Sequence, residues 1–186
     1  MRLQERSERK ICRQLPMKNR YFFITLLIFL LDHATKWLAF EKLNASSPIE
    51  IIPGYLRLSY AQNTGVAFGF FDKVESEWKP YILAVLAIAA VMILLIYSSR
   101  TPPSRKLLHC ALAITLGGIL GNFADRFLRG YVVDFIEFHI HEAFYWPNFN
   151  VADSAITVGV ALLLLDTVKN PAVEETAGQS PADEQS

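Results

Sequence analysis

The sequence predicts an all-α polytopic membrane protein, with four transmembrane helices and a small antiparallel β-sheet on the outer side. Of its 186 residues, 52% are hydrophobic and 19% are charged, whereas soluble domains carry about 25% charged residues. Mean hydropathy is positive, at +0.26, and the apolar residues form four separate blocks. The 18 basic residues balance the 18 acidic ones, so no net positive field exists to attract nucleic-acid phosphates.

The four blocks each approach the length of a membrane span, which needs about 20 mainly apolar residues. They cover residues 21–40, 80–97, about 107–123 and 151–168. The second block has no charge, and the others need their polar residues to face protein or water. The first block could also be a signal peptide. No small-x-small cleavage site follows its apolar run, so we interpret it as a retained span.

Basic residues predict the orientation of the spans. Residues 1–20 contain seven Lys or Arg, and the loop between the second and third blocks contains Arg100, Arg105 and Lys106. The positive-inside rule therefore places both termini in the cytoplasm. Segments 41–79 and 124–150 then lie outside.

The outer segment 44–75 shows a hairpin pattern. Apolar and polar residues alternate in 49–52 and 55–60, on either side of a Pro-Gly pair, which is typical of two short antiparallel strands. We expect this sheet at the membrane surface, with Trp78 and Tyr81 at the headgroup level.

The two ends of the chain are polar. We interpret 1–16 as an N-terminal extension, 17–168 as the four-helix membrane domain and 169–186 as a disordered acidic tail. Translation could begin at Met1 or at Met17.

Polar residues inside apolar spans are candidate functional residues, because burying them costs free energy. Asp32 and Lys36 lie one helical turn apart, which favours a mutual ion pair near the outer end of the first span. Asn63 to Gly69 reads Asn-Thr-Gly-Val-Ala-Phe-Gly, which is typical of a turn, and its glycines, Gly65 among them, would also let a peptide approach the backbone.

The third block ends in a glycine-rich and polar stretch. Gly117 and Gly121 form a small-xxx-small face for close helix packing. Asn122 and Arg126 share a second helical face. Packing and a snorkelling arginine would explain this stretch, except for Asn122 at membrane depth.

Two aspartates stand at the predicted outer edge. Asp134 interrupts an apolar extended run, where Asp is disfavoured, and Asp153 begins the last span. Asn150 could simply cap that helix, with Asp153 in its first turn. Alternatively, two carboxylates that meet there could share one proton, one activating water and the other protonating a peptide carbonyl. Asn122 and Arg126 could then hold them by hydrogen bonds.

Other chemistries have weaker support. His139 and His141 alternate in a strand-like run, Glu142 follows directly, and the group could bind a metal. Ser59 or Ser154 could pair with Lys36 as a nucleophile and base, although nothing in the sequence brings them together.

Five ordered motifs make the chain resemble the bacterial lipoprotein signal peptidases, also called signal peptidase II. They are Asp-x-x-Thr-Lys from Asp32, the Asn63–Gly69 motif, Gly-Gly-Ile-Leu-Gly-Asn-Phe-Ala-Asp-Arg from Gly117, Val-Val-Asp-Phe-Ile from Val132, and Phe-Asn-Val-Ala-Asp-Ser-Ala-Ile from Phe149. The resemblance as a whole covers about residues 17 to 168.

The resemblance implies a membrane aspartic protease of the bacterial inner membrane that needs no metal or other cofactor. Its substrates would be prolipoproteins carrying diacylglycerol on a cysteine, cut on the N-terminal side of that cysteine. Asp134 and Asp153 would be catalytic, supported by Asn122, Arg126 and Asn150. The site would be shaped, or the substrate contacted, by Asn63, Gly65, Asp32 and Lys36. Globomycin-type peptides would inhibit it.

Three further expectations follow. A helix N-terminus stabilises a carboxylate, so Asp153 should be the ionised member of the pair and Asp134 the proton carrier. The outer hairpin should clamp the lipid-bearing segment of the substrate. The alternative function is a non-enzymatic transporter or scaffold subunit. A transporter predicts charged groups near the middle of the membrane rather than at one edge, and a scaffold that uses the glycine face leaves the aspartates without a role.

Overall fold

The computed structural model describes residues 2–44, 46–65, 78–141 and 143–170, with the backbone alone for residues 2–19 and Pro80. It contains four long helices, α1 (Arg2–Leu43), α2 (Lys79–Arg100), α3 (Lys106–Arg129) and α4 (Val151–Lys169). Each helix includes a stretch long and apolar enough to cross a membrane. The prediction of four spans is therefore confirmed. The acidic tail from residue 171 onward and Val66 to Gly69 lie outside the described residues.

Local sequence explains where several helices begin and end. A proline occupies the first turn of α2, where its missing N–H has no intrahelical partner to lose. Helix α3 ends at Gly130, whose φ of 79° is left-handed and suits glycine. Helix α4 begins at Asn150, a favoured N-cap residue.

Four strands form one antiparallel sheet in the order β1 (Ile49–Ile52), β2 (Leu56–Asn63), β3 (Val132–Ile140) and β4 (Phe144–Tyr145). The predicted hairpin is confirmed as β1 and β2, joined through Gly54, whose φ is 79°. The sheet is larger than predicted, because the segment after α3 adds two strands. Pairing of β2 with β3 places Ala61 opposite Asp134.

Helix α3 lies between α1 and α4. A Cβ atom at Gly117 would come within 2.8 Å of Ile28 on α1, and one at Gly118 within 2.5 Å of the Ala152 carbonyl oxygen on α4. At Gly121 a Cβ atom would meet the Asp32 carboxylate at 2.5 Å. The predicted small-residue packing face is thus confirmed, and it lets polar side chains of three elements meet at one end.

The sheet rests on that same end of the bundle. Ala39 and Leu43 of α1 pack with Val133 and Phe135 of β3 in a small buried apolar cluster. Because side chains alternate along a strand, burying Val133 and Phe135 on one face directs Asp134 to the other.

Candidate active site

Asn150 is the centre of the candidate site. Its side-chain oxygen accepts a hydrogen bond from the Asp153 backbone N–H at 2.9 Å, and the Asp153 carboxylate accepts one from the Asn150 N–H at 3.3 Å. This reciprocal capping box satisfies two N–H groups at the start of α4. The prediction that Asn150 caps α4, with Asp153 in the first turn, is therefore confirmed. The Asn150 side chain also contacts Asp134.

Asp134 receives hydrogen bonds on both carboxylate oxygens. Asn150 Nδ2 donates to one at 2.6 Å, and Asn63 Nδ2 donates to the other at 2.9 Å. Only 2% of Asp134 is exposed. Burial, followed by the nearby charge of Asp153, raises the pKa of Asp134 to about 7.

Asp153 is held from the opposite side. Asn122 Nδ2 on α3 donates to its carboxylate at 2.8 Å. The Asn122 side-chain oxygen accepts from Lys36 Nζ at 2.9 Å. Since a cation faces the oxygen of this amide, its N–H₂ group must turn toward Asp153.

Lys36 is surrounded by acceptors. Its Nζ lies 2.7 Å from Asp32 and 3.2 Å from Asp125, with all three residues at most 1% exposed. The predicted Asp32–Lys36 pair is confirmed. Asp32 also accepts a hydrogen bond from the Ala152 N–H at 2.8 Å, so α1 caps the start of α4.

Asn63 and Arg126 close the site on the sheet side. The Asn63 side-chain oxygen accepts from the Gly65 N–H at 2.8 Å, which forms the predicted turn. Arg126 donates to the Gly65 carbonyl at 2.8 Å and to the Asn122 carbonyl at 3.3 Å. Arg126 thereby joins the loop after β2 to α3.

Hydrogen bonds and ion pairs connect the nine residues that the family resemblance implies for the site. A closed ring runs through seven of them, and Asp32 and Lys36 join it at Asn122. In order, the ring contains Asn122, Asp153, Asn150, Asp134, Asn63, Gly65 and Arg126.

Asp125 is a residue that the sequence reasoning missed. Besides Lys36, its carboxylate accepts a hydrogen bond from the Val133 N–H at 3.1 Å, one residue before Asp134. Asp125 thus ties the cation of α1 to strand β3. The sequence signal was its place three residues after Asn122, on a nearby helical face.

Glu137 on β3 was also missed. Arg57 Nη2 donates to it at 2.6 Å and Ser59 at 2.8 Å, and Asn148 donates to the Ser59 hydroxyl at 2.7 Å. Burial opposes ionisation, but the hydrogen bonds from Arg57 and Ser59 outweigh it and lower the pKa of Glu137. This contact chain ties the sheet to the segment just before Asn150.

The residues of the alternative chemistries lie in other contacts. His139 stacks on Tyr145 and His141 packs against Tyr55. Glu142 lies outside the described residues. Among the residues that the structure describes, no group of three or more His, Cys, Asp or Glu could hold a metal ion.

The serine–lysine alternative finds no shared contact in the described part of the chain. Ser59 donates to Glu137, and Ser154 donates to the Asn150 carbonyl at 2.9 Å. Lys36 is engaged by Asp32, Asn122 and Asp125.

Fold and site together define a polytopic membrane protein with two buried carboxylates gathered around one asparagine at the end of its spans. The model of the signal peptidase (SPase) II family matches residues 24–169, and the chain belongs to this family. The lipoprotein signal peptidase of Alteromonas mediterranea is 35% identical, over 88% of this chain and 89% of that protein. That of Symbiobacterium thermophilum is 42% identical, over 78% and 91%. A solved bacterial membrane enzyme is similar in fold, with a TM-score of 0.73 and 25% identity over 87% of this chain and 95% of that one.

Proposed function

We propose that this protein is an aspartic endopeptidase that removes signal peptides from prolipoproteins, with Asp134 and Asp153 as its catalytic dyad. One observation carries the proposal. Asn150 accepts a hydrogen bond from the Asp153 N–H and donates one to the Asp134 carboxylate. Two carboxylates gathered in this way can divide the roles of acid and base, and membership of the family supports a peptidase.

The proposed mechanism gives each carboxylate one role. Ionised Asp153 takes a proton from a water molecule as the water oxygen attacks the scissile carbonyl carbon. Protonated Asp134 donates its proton to the carbonyl oxygen. The tetrahedral intermediate then collapses, the Asp153 proton passes to the leaving nitrogen, and Asp134 recovers its proton. The raised pKa of Asp134, about 7, supports its role as proton carrier.

The supporting residues then have distinct tasks. Asn122 and Asn150 orient the dyad, since each donates to one of its carboxylates. Lys36 and Asp32 fix Asn122 and the first turn of α4. We expect Asn63 and Gly65, held by Arg126, to lie along the substrate backbone.

The substrate class follows from the relatives, which are called lipoprotein signal peptidases. We propose that the chain acts on diacylglyceryl-modified prolipoproteins, cuts before the lipidated cysteine, and is inhibited by globomycin-type peptides. It would reside in the bacterial inner membrane among lipids, with cytoplasmic termini and the dyad at the periplasmic edge. Residues 17–168 should suffice, and the β1–β2 hairpin should clamp the lipid-bearing segment.

The decisive experiment is cleavage of a diacylglyceryl-prolipoprotein by purified wild type, Asp134→Asn and Asp153→Asn. Each variant should lose at least ~10³-fold in rate, because a proton-transfer group is removed. Asp166→Asn is the matched control. Asp166 is also 2% exposed, but it lies at the other end of α4. Folded dyad variants with near-normal rates would overturn the site, and an inactive wild type would favour a transporter or scaffold.

A further inference from the structure

A cavity of ≈ 420 Å³ opens between α1, α2 and α3 at the end of the bundle away from the dyad. His109 on its wall and Asn122 are 13 residues apart on α3, or about 20 Å along the helix. The mechanism above does not use this space. Its size falls within the ~300–1,000 Å³ typical of small-molecule sites.

The lining combines apolar and polar side chains. Large apolar side chains come from three helices: Phe22, Leu94, Leu95, Leu112 and Leu116. Ser98, Thr101 and His109 are polar, and the Tyr21 ring stacks on His109. The Ser98 hydroxyl lies 3.5 Å from His109 Nδ1, and the Pro102 carbonyl lies 3.3 Å from His109 Nε2.

On each of the three helices, a cation stands close in the chain to residues of the cavity lining. Arg20 directly precedes Tyr21, Arg100 directly follows Ser99, and Lys106 begins α3. Among the residues whose side chains are described, Asp166 is the carboxylate at this end, and Arg105 pairs with it. Among the residues whose side chains the structure describes, the rim of the cavity therefore has more cations than carboxylates.

We propose that this cavity binds one anionic phospholipid, with an acyl chain among the apolar residues and the phosphate at the basic rim. Basic pockets between transmembrane helices suit such headgroups. A signal-peptide helix is the other candidate occupant of this cavity. Its own positively charged leading region would be repelled by Arg20, Arg100 and Lys106.

The test is native mass spectrometry of the detergent-purified full chain, titrated with phosphatidylglycerol, phosphatidylcholine and inorganic phosphate. Phosphatidylglycerol should bind as a single copy, at least about tenfold more tightly than phosphatidylcholine, and phosphate alone should not bind measurably. Equal binding of the two lipids, or binding of phosphate alone, would overturn the proposal.

Two variant pairs locate the lipid. Leu95→Trp should fill the cavity and weaken phosphatidylglycerol binding. Ile93→Trp is its control, because Ile93 is on the same helix but not on the cavity wall. Arg100→Gln should weaken binding by about fivefold, the effect expected of one cation near the headgroup, whereas Lys42→Gln at the far end should not.

A melting curve checks that each variant is folded. Loss of binding in both tryptophan variants alike would contradict the cavity as the site. Binding of a synthetic signal peptide that phosphatidylglycerol cannot displace would identify the other occupant and reject the lipid.

Discussion

The two ends of the helix bundle both bury a carboxylate beside a cation, but they do so differently. At the dyad end Lys36 is 1% exposed and contacts two carboxylates and an amide oxygen. At the opposite end the Arg105 side chain is 32% exposed, while its partner Asp166 is buried. Complete burial therefore accompanies the Lys36 cluster, whose polar groups orient one another. The partly exposed Arg105–Asp166 pair only joins α3 to α4.

The largest expected effect tests this comparison directly. Lys36→Met leaves the Asp32 carboxylate buried without its cation and leaves Asp125 with Arg129 at 3.6 Å. It should lower the free energy of unfolding by ~3–5 kcal/mol. Arg105→Met should cost only about 1 kcal/mol, because water reaches that pair and Asn170 still donates to Asp166. Reversible unfolding in mixed detergent measures both, and equal losses would contradict the distinction.

Glycine-to-alanine substitutions test how closely the helices pack at two levels of the bundle. A Cβ atom at Gly118 would come within 2.5 Å of the Ala152 carbonyl, in the first turn of α4. A Cβ atom at Gly159 would overlap the Thr115 hydroxyl, nearer the other end. Each alanine variant should lose ~1–3 kcal/mol of stability. Only Gly118→Ala should also lower the cleavage rate of folded protein, and a comparable rate loss in Gly159→Ala would refute this assignment.

Asn150 variants separate capping from proton chemistry. Serine is also a good N-cap, so Asn150→Ala should be less stable than Asn150→Ser by the ~0.5–2 kcal/mol that a cap contributes. Both variants lack the amide N–H that donates to Asp134, and both should cleave at least about tenfold more slowly. If Asn150→Ser cleaves like the wild type, Asn150 acts on the helix alone.

The smallest effects concern pH. With Asp134 as proton carrier, cleavage should fall as pH rises through about 7. Asn63→Ala removes a hydrogen bond that lowers the pKa of Asp134, so the alkaline limb should move upward. Asp153→Asn removes a charge that raises this pKa, so the carboxyl band in infrared spectra should titrate at lower pH. Shifts in the opposite directions would overturn the proton assignment.

The raised pKa of Asp134 also makes the stability of the folded protein depend on pH. The pKa of Asp134 rises from 3.8 to about 7 on folding. The folded state therefore holds a proton that the unfolded chain has lost between these values. The contribution of Asp134 to stability is complete below pH 3.8 and is lost as pH rises through about 7.

Patterns within a span or a hairpin predicted much of the fold. Four apolar blocks indicated the four helices, and alternation around Pro53 and Gly54 indicated β1 and β2. That β3 would join the same sheet was not predicted. Its partner β2 lies 71 residues away at Asn63 and Asp134, and periodicity carries no information on such distant pairing.

The sequence also predicted a part of the candidate site. Spacing on one helix indicated the Asp32–Lys36 pair, and cap chemistry indicated Asn150 with Asp153. The order of the family motifs then suggested which of these residues belong together. Asp125 was missed because its contact with Lys36 joins two helices, and spacing within one helix carries no information on such a contact.

The capping box at Asn150 has a consequence for biogenesis. The proposed dyad needs Asn122 from the third span, Asp134 from the sheet and the first turn of α4, which comes after the other three described helices in the chain. A partly synthesised chain that lacks α4 therefore holds only part of the proposed centre. The proposed hydrolysis would begin only after this helix start has been made.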